Sequence, residues 1–262
     1  MKPLLIVKTG TALPGVRARR GDYERWILDG LALESVPFEV VSVYEGDALP
    51  DPTQLAGVIL TGSAAMVTDR EEWSERTATW LPGAVFSEIP ILGICYGHQL
   101  LAHAFGGEVG RNPRGREMGT VEIDFSAARQ DPLLGGVGER AQFQATHVES
   151  VLALPPRAVC LAGNAADPHH AFRLGTAKAR VWGIQFHPEF DQDVIRGYIE
   201  TRREVLGEEG LDADEMISAA RETPAGPRLL KRFGELVAGE RSTRARPSVS
   251  ARIPRSGIKK NV

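Results

Sequence analysis

Two short stretches of this sequence hold residue types that could do covalent chemistry together: Gly93-Ile94-Cys95-Tyr96-Gly97 and, some ninety residues later, His187-Pro188-Glu189. A thiolate is a nucleophile, and an imidazole titrates where it can take up a proton and hand it to a departing amine. A carboxylate beside the imidazole fixes its tautomer. Cys95 therefore reads as nucleophile, His187 as general acid/base and Glu189 as the orienting third member. Proline between the last two fixes the local backbone, so both side chains can project to one side of an extended turn. Each motif alone has an ordinary explanation. Cys95 could be a buried small hydrophobe, and His-Pro-Glu could open a helix. Their occurrence together carries the reading.

Such chemistry needs elements to hold it. Pro90–Ile94 (PILGI) is an apolar run suited to a strand covered on both faces, and a helix follows the cysteine directly, ending at Gly106-Gly107. A strand-to-helix corner strains the nucleophile's backbone, and glycines nearby give it room. The helix N-terminus favours thiolate over thiol. It also aims the Tyr96 N–H at the oxygen of a tetrahedral intermediate.

Of six histidines, His98 lies too close to the cysteine in sequence for its ring to swing back. His169 and His170, in the polar turn DPHHA, are expected at the surface. Cys160, in RAVCLAGN, has no comparable corner and is expected in the core.

The first half alternates strand-like and helix-like segments. Leu4–Val7, Phe38–Val43 and Gly57–Leu60 read as strands, Tyr23–Leu33 and Glu71–Trp80 as helices, and 10–22 as a loop, with Asp22 as N-cap. This pattern predicts an α/β, three-layer fold with a mostly parallel central sheet. From Met118 the segments suggest a mixed or antiparallel extension of it, and helix is expected from about Asp193 to Leu206. Three regions follow: 1–206 as the principal domain, 207–240 as helices packed on it, and 241–262 as a basic, disordered tail holding seven Lys or Arg and no acid.

The motifs GICYGHQ and FHPE, in this order and at this spacing, resemble the class I glutamine amidotransferases, over residues from near 1 to about 240. The loop Thr61-Gly62-Ser63-Ala64 and the segment Asn112–Gly119 are similar to a stand-alone, GMP-synthase-like subgroup. The resemblance implies a flavodoxin-like amidotransferase fold and a Cys95, His187, Glu189 triad. It implies Gly62 beside Tyr96 as oxyanion donor, and Ser63, Gln99 and His147 in the substrate pocket. The substrate would be glutamine or a related γ-glutamyl amide, cleaved through a γ-glutamyl thioester, with ammonia supplied to a separate synthetase. A free-standing γ-glutamyl hydrolase and a non-catalytic protein on the same fold remain open alternatives.

Composition narrows the classes. With 42% hydrophobic and 25% charged residues and a formal net charge of −3, the chain reads as globular, with neither nucleic acid nor membrane as a partner. Two distant cysteines without a disulfide framework point to the cytoplasm. No metal or organic cofactor is implied, and no phosphate-binding GxxxxGK[ST] stretch is present.

Overall fold

A computed structural model describes residues 2–33, 36–175 and 180–244, without the side chains of 240–244. Its strands are β1 (Leu4–Lys8), β2 (Phe38–Ser42), β3 (Gly57–Leu60), β4 (Ile91–Ile94), β5 (Glu108–Arg111), β6 (Glu117–Asp124), β7 (Arg140–His147), β8 (Glu149–Ala153), β9 (Val159–Ala162), β10 (Ala171–Arg173) and β11 (Val181–Ile184). Its helices are α1 (Pro14–Arg20), α2 (Tyr23–Leu31), α3 (Glu72–Phe86), α4 (Tyr96–Ala104), α5 (Gln192–Thr201), α6 (Arg203–Glu208), α7 (Ala213–Ala219) and α8 (Ala225–Arg244).

The central sheet runs β2-β1-β3-β4-β11-β10-β9. Its first five strands are parallel, and β10 and β9 complete it antiparallel. The central strands β1, β3, β4 and β11 are buried throughout, as strands covered on both faces must be. Alternation sorts their side chains. Leu4 and Ile6 join the core under α2, α5 and α8, while Leu5 and Val7 join the core under α3 and α4. The expected three-layer α/β architecture is therefore present. The anticipated extension is only partly continuous with it, since β5–β8 and β6–β7 form separate two-stranded ladders.

Three local readings need correction. Residues 10–22 are not all loop. Pro14 sits at the start of α1, where its fixed φ and missing N–H cost nothing, and Arg17, Arg19 and Arg20 fall in the last turn, where cations suit the helix dipole. The helix expected over Glu71–Trp80 continues through Pro82 to Phe86, because Leu81 and Ala84 are fully buried on its core face. Asp22 does cap α2, accepting from the Tyr23 N–H, but α2 ends at Leu31, two residues early.

In the C-terminal region, Leu229, Leu230, Phe233 and Val237 of α8 are buried in the same core as Leu4 and Ile59. Phe233 meets Trp182 of β11 edge to face, and α8 runs beside α2. The basic tail expected over 241–262 lies outside the described residues from 245 onward. Among the described residues no helix is long and apolar enough to cross a membrane.

The strand-to-helix corner depends on close backbone approach. A Cβ on Gly93 would lie 2.4 Å from the Gly97 carbonyl oxygen, a rigid neighbour. Gly93→Ala should therefore cost at least about 3 kcal/mol in denaturant unfolding, at the upper end of overpacking penalties. Gly207→Ala, within α6 and with nothing within 4 Å, should be neutral or stabilising by up to about 1 kcal/mol. Equal effects at the two sites would contradict the packing described.

Candidate active site

Cys95 occupies the corner between β4 and α4 with φ 50° and ψ −99°, a positive-φ conformation uncommon for a side-chain-bearing residue. The backbone around it is fixed. Its N–H donates to the Ile184 carbonyl at 2.8 Å, the Gly97 N–H to the Thr61 carbonyl at 3.2 Å, and the Gln99 N–H back to the Cys95 carbonyl at 3.1 Å. A Cβ on Gly97 would meet Leu60 at 2.6 Å, so β3 presses on the first turn of α4. The thiol is buried, with Sγ donating towards the Thr146 carbonyl at 3.8 Å. Tyr96 is the first residue of α4, where an N–H has no acceptor inside the helix.

His187 follows β11 on the neighbouring strand and is tied in place by its own N–H, which donates to the Gln144 carbonyl of β7 at 2.8 Å. Its ring stacks on Phe190 with centroids 4.1 Å apart, and its Nδ1–H donates to Glu189 Oε1 at 2.8 Å. That bond leaves Nε2, which is buried and has no hydrogen-bond partner. Burial alone would lower the imidazole's pKa. The Glu189 carboxylate and the neighbouring Cys95 sulfur outweigh it and push the value up to about 10. Pro188 and Glu189 precede α5, which is capped at Asp191, so this glutamate is no first-turn helix residue.

Gly62, on the loop after β3, closes the third side. A Cβ there would lie 2.9 Å from His187 Cε1 and 3.7 Å from Cys95 Cβ. Cys95, His187, Glu189, Gly62 and Tyr96 thus converge at the ends of three adjacent strands. Ser63 borders the cleft over the thiol, its Oγ accepting from the Ala65 N–H at 3.1 Å. Gln99 is fastened across the cleft floor, with Nε2 donating to the Glu149 carbonyl at 2.8 Å and to Gln185 Oε1 at 3.0 Å.

His147 also borders the cleft, but both ring nitrogens are engaged. Nε2 lies 2.9 Å from Glu117 Oε2, and Nδ1 3.0 Å from the Glu149 carbonyl. Its visible work is to hold β7 and β8 in position. Glu117 also lies 2.8 Å from His170 Nε2, an ion-pair contact without hydrogen-bond geometry, and accepts from Asn164 Nδ2 at 2.7 Å. Burial would raise the Glu117 carboxyl, but the two imidazoles hold it well below the usual carboxylate range. Among the described residues this Glu117, His147, His170 trio is the group able to ligate a metal ion. Its nitrogen–oxygen separations of 2.8–2.9 Å are shorter than the roughly 3.3 Å between neighbouring ligands of a tetrahedral ion bound at 2.0–2.1 Å.

His170 is thus fully buried, not at the surface as its polar turn suggested, because it immediately precedes β10 and turns inward. Cys160 is half-buried and not a core residue, since β9 is the outermost strand. His98 does face away from the thiol. Its ring packs on Phe172 at 4.9 Å, and burial lowers its pKa to about 3.

The cleft has further members: Thr146, Glu149, Tyr198, Arg116 and Arg202. They come from distant segments. Thr146 and Glu149 flank His147 in the stretch ATHVES, which the family resemblance places near the substrate. Arg116 lies in the Asn112–Gly119 loop, whereas nothing in the sequence pointed to Tyr198 or Arg202.

The glutamine amidotransferase class-I family model matches residues 21–199. Among curated relatives, the glutamine-hydrolysing GMP synthase of Aeropyrum pernix is 38% identical over 144 residues, 55% of this chain and 25% of the relative. A subunit of the glutamine-hydrolysing GMP synthase of Methanococcoides burtonii is 35% identical over 133 residues, 51% of this chain and 64% of the relative. The chain thus spans a quarter to just under two thirds of those relatives. A solved glutamine amidotransferase from Thermotoga maritima has the same fold, with a TM-score of 0.71 at 20% identity, covering 90% of this chain and 99% of that one. A solved glutamine amidotransferase from Methylobacillus flagellatus gives 0.66 at 22% identity, with 97% and 100% covered.

Charge at His187 gives a direct test. A raised folded pKa stabilises the native state below the ordinary value of 6.5, and the contribution is lost as pH rises through about 10. Nitrogen NMR of histidine-labelled protein should show His187 still protonated at pH 8. Glu189→Gln removes the attracting carboxylate and should lower its pKa by about 1–3 units. An unchanged titration in that variant would contradict the assignment of the cause.

Proposed function

This chain belongs to the class I glutamine amidotransferase family, and on that premise we propose that it hydrolyses the side-chain amide of glutamine through a thioester on Cys95. The observation that carries the reading is the site's directionality. His187 is oriented through Nδ1 by Glu189 and keeps its buried Nε2 without a partner, beside a thiol held on a strained corner.

The proposed steps follow from those positions. The Cys95 sulfur attacks the amide carbon of glutamine, and the imidazole carries the thiol proton. The carbonyl oxygen becomes an oxyanion, with the N–H groups of Tyr96 and Gly62 as its donors. On collapse, the carbon–nitrogen bond breaks and His187 protonates the leaving amine, releasing ammonia. Water then attacks the γ-glutamyl thioester, gives up a proton to His187, and glutamate departs as the sulfur is released. Glu189 keeps the same tautomer throughout.

Glutamine is favoured over a bulky γ-glutamyl conjugate by the relatives, which are named as glutamine-hydrolysing. The cleft against Cys95 has two lobes, of about 40 and 20 Å³, both open to solvent. Ammonia would pass to a synthetase, in line with the relatives named as one subunit of a glutamine-hydrolysing GMP synthase.

The purified chain should release ammonia and glutamate in equal amounts from L-glutamine. Cys95→Ser and Cys95→Ala should lower the rate about a thousand-fold or more while near-ultraviolet circular dichroism stays unchanged. Turnover of γ-glutamyl peptides with none of glutamine would favour the free-standing hydrolase. Wild-type rates in both cysteine variants would refute either enzyme.

A further inference from the structure

Both lobes of the Cys95 cleft are bordered by Arg202, and the larger one also by Arg116. Neither guanidinium is fully used. Arg116, its side chain only 7% exposed, spends Nε and Nη2 on a two-pronged contact with Glu209, at 2.7 and 2.9 Å. Its Nη1 is buried with no partner. Arg202 has a buried Nε without a hydrogen-bond partner, and the Glu209 carboxylate, spent on Arg116, acts on its charge only from a distance. Its backbone is nevertheless fixed, the N–H shared between the Tyr198 and Ile199 carbonyls at 3.2 and 3.1 Å.

Buried guanidinium N–H groups left unbonded are costly. Two arginines that border one cleft and each keep an unbonded N–H make a site suited to an anion, and a planar guanidinium fits a carboxylate. The cleft's own acid does not supply it. Both carboxylate oxygens of Glu149 are already engaged, accepting from the Val67 N–H at 2.9 Å and from the Thr68 hydroxyl. Moreover, Arg202 and the Glu209 that braces Arg116 both lie beyond the 21–199 stretch matched by the family model. The arrangement belongs to this chain's α5–α6 segment.

We propose that Arg116 and Arg202 form a carboxylate subsite that takes the α-carboxylate of the substrate and thereby sets its amide over Cys95. The proposal rests on the amidase reading above. Glu209 acts as a positioning residue for Arg116.

Two measurements on the full chain test it. In the first, L-glutamine is compared with γ-aminobutyramide, which keeps the amide and amine but lacks the carboxylate. Arg202→Gln and Arg116→Gln should each raise KM for L-glutamine about ten-fold or more, the loss of one charged hydrogen bond. They should leave kcat within a few-fold and kcat/KM for γ-aminobutyramide unchanged, and Arg202→Lys should recover part of the loss. In the second, which needs no turnover, Cys95 displaces iodide from iodoacetate or from neutral iodoacetamide. The wild type should favour the anionic reagent, and each Gln variant should lose that preference by a similar factor.

If glutamine is not hydrolysed but the iodoacetate preference is present and lost in the variants, the subsite stands and the amidase reading fails. If Cys95 reacts normally and the variants keep both the wild-type reagent preference and the wild-type KM, the subsite is overturned.

Discussion

Everything at this site depends on the in-register parallel pairing of β3, β4 and β11. Leu60 lies opposite Gly93 and Ile184 opposite Ile94, so the three strands end level with one another. The residues just past those ends are Gly62, Cys95 and His187. Parallel strands put their carboxyl ends on one edge, and ligands bind there in open α/β folds. Sequence separation of about ninety residues between Cys95 and His187 thereby becomes neighbourhood.

Level strand ends would not be enough without close backbone contact. Gly93 lets α4 turn back against β4, and Gly97 lets β3 lie on its first turn. The resulting corner holds Cys95 at positive φ, a strain the surrounding hydrogen bonds keep in place. On the other side the His187–Glu189 contact puts a buried charge pair next to the thiol. Such a pair is expensive to desolvate and is better understood as preorganisation for catalysis than as a source of stability. The stacked Phe190 supplies the dry wall that makes the interaction strong.

What could be read from the sequence was whatever is local. Gly93, Cys95 and Gly97 sit within five residues, and so do His187 and Glu189, so their pattern names their job. The central strands were legible because covered strands are continuous apolar runs. Non-local pairings were not legible. Nothing in DPHHA says that His170 meets a glutamate fifty-three residues earlier, or that His147, expected to face substrate, is fully occupied by Glu117 and the Glu149 carbonyl. The α1 helix was missed because only Val16 of it is buried, leaving no apolar periodicity to detect. Arg202 carried no signal at all, and Arg116 only its place in the Asn112–Gly119 segment, since an arginine in a charged segment reads as solvated surface until the fold shows what it faces.

The most direct measurement is to mix the chain with L-glutamine, quench in acid within milliseconds to seconds, digest, and weigh the peptide containing Cys95. The account predicts a transient gain of one γ-glutamyl group on that peptide, lost as glutamate accumulates. Glutamate accumulating with no adduct on Cys95, or with the adduct on another residue, would contradict it.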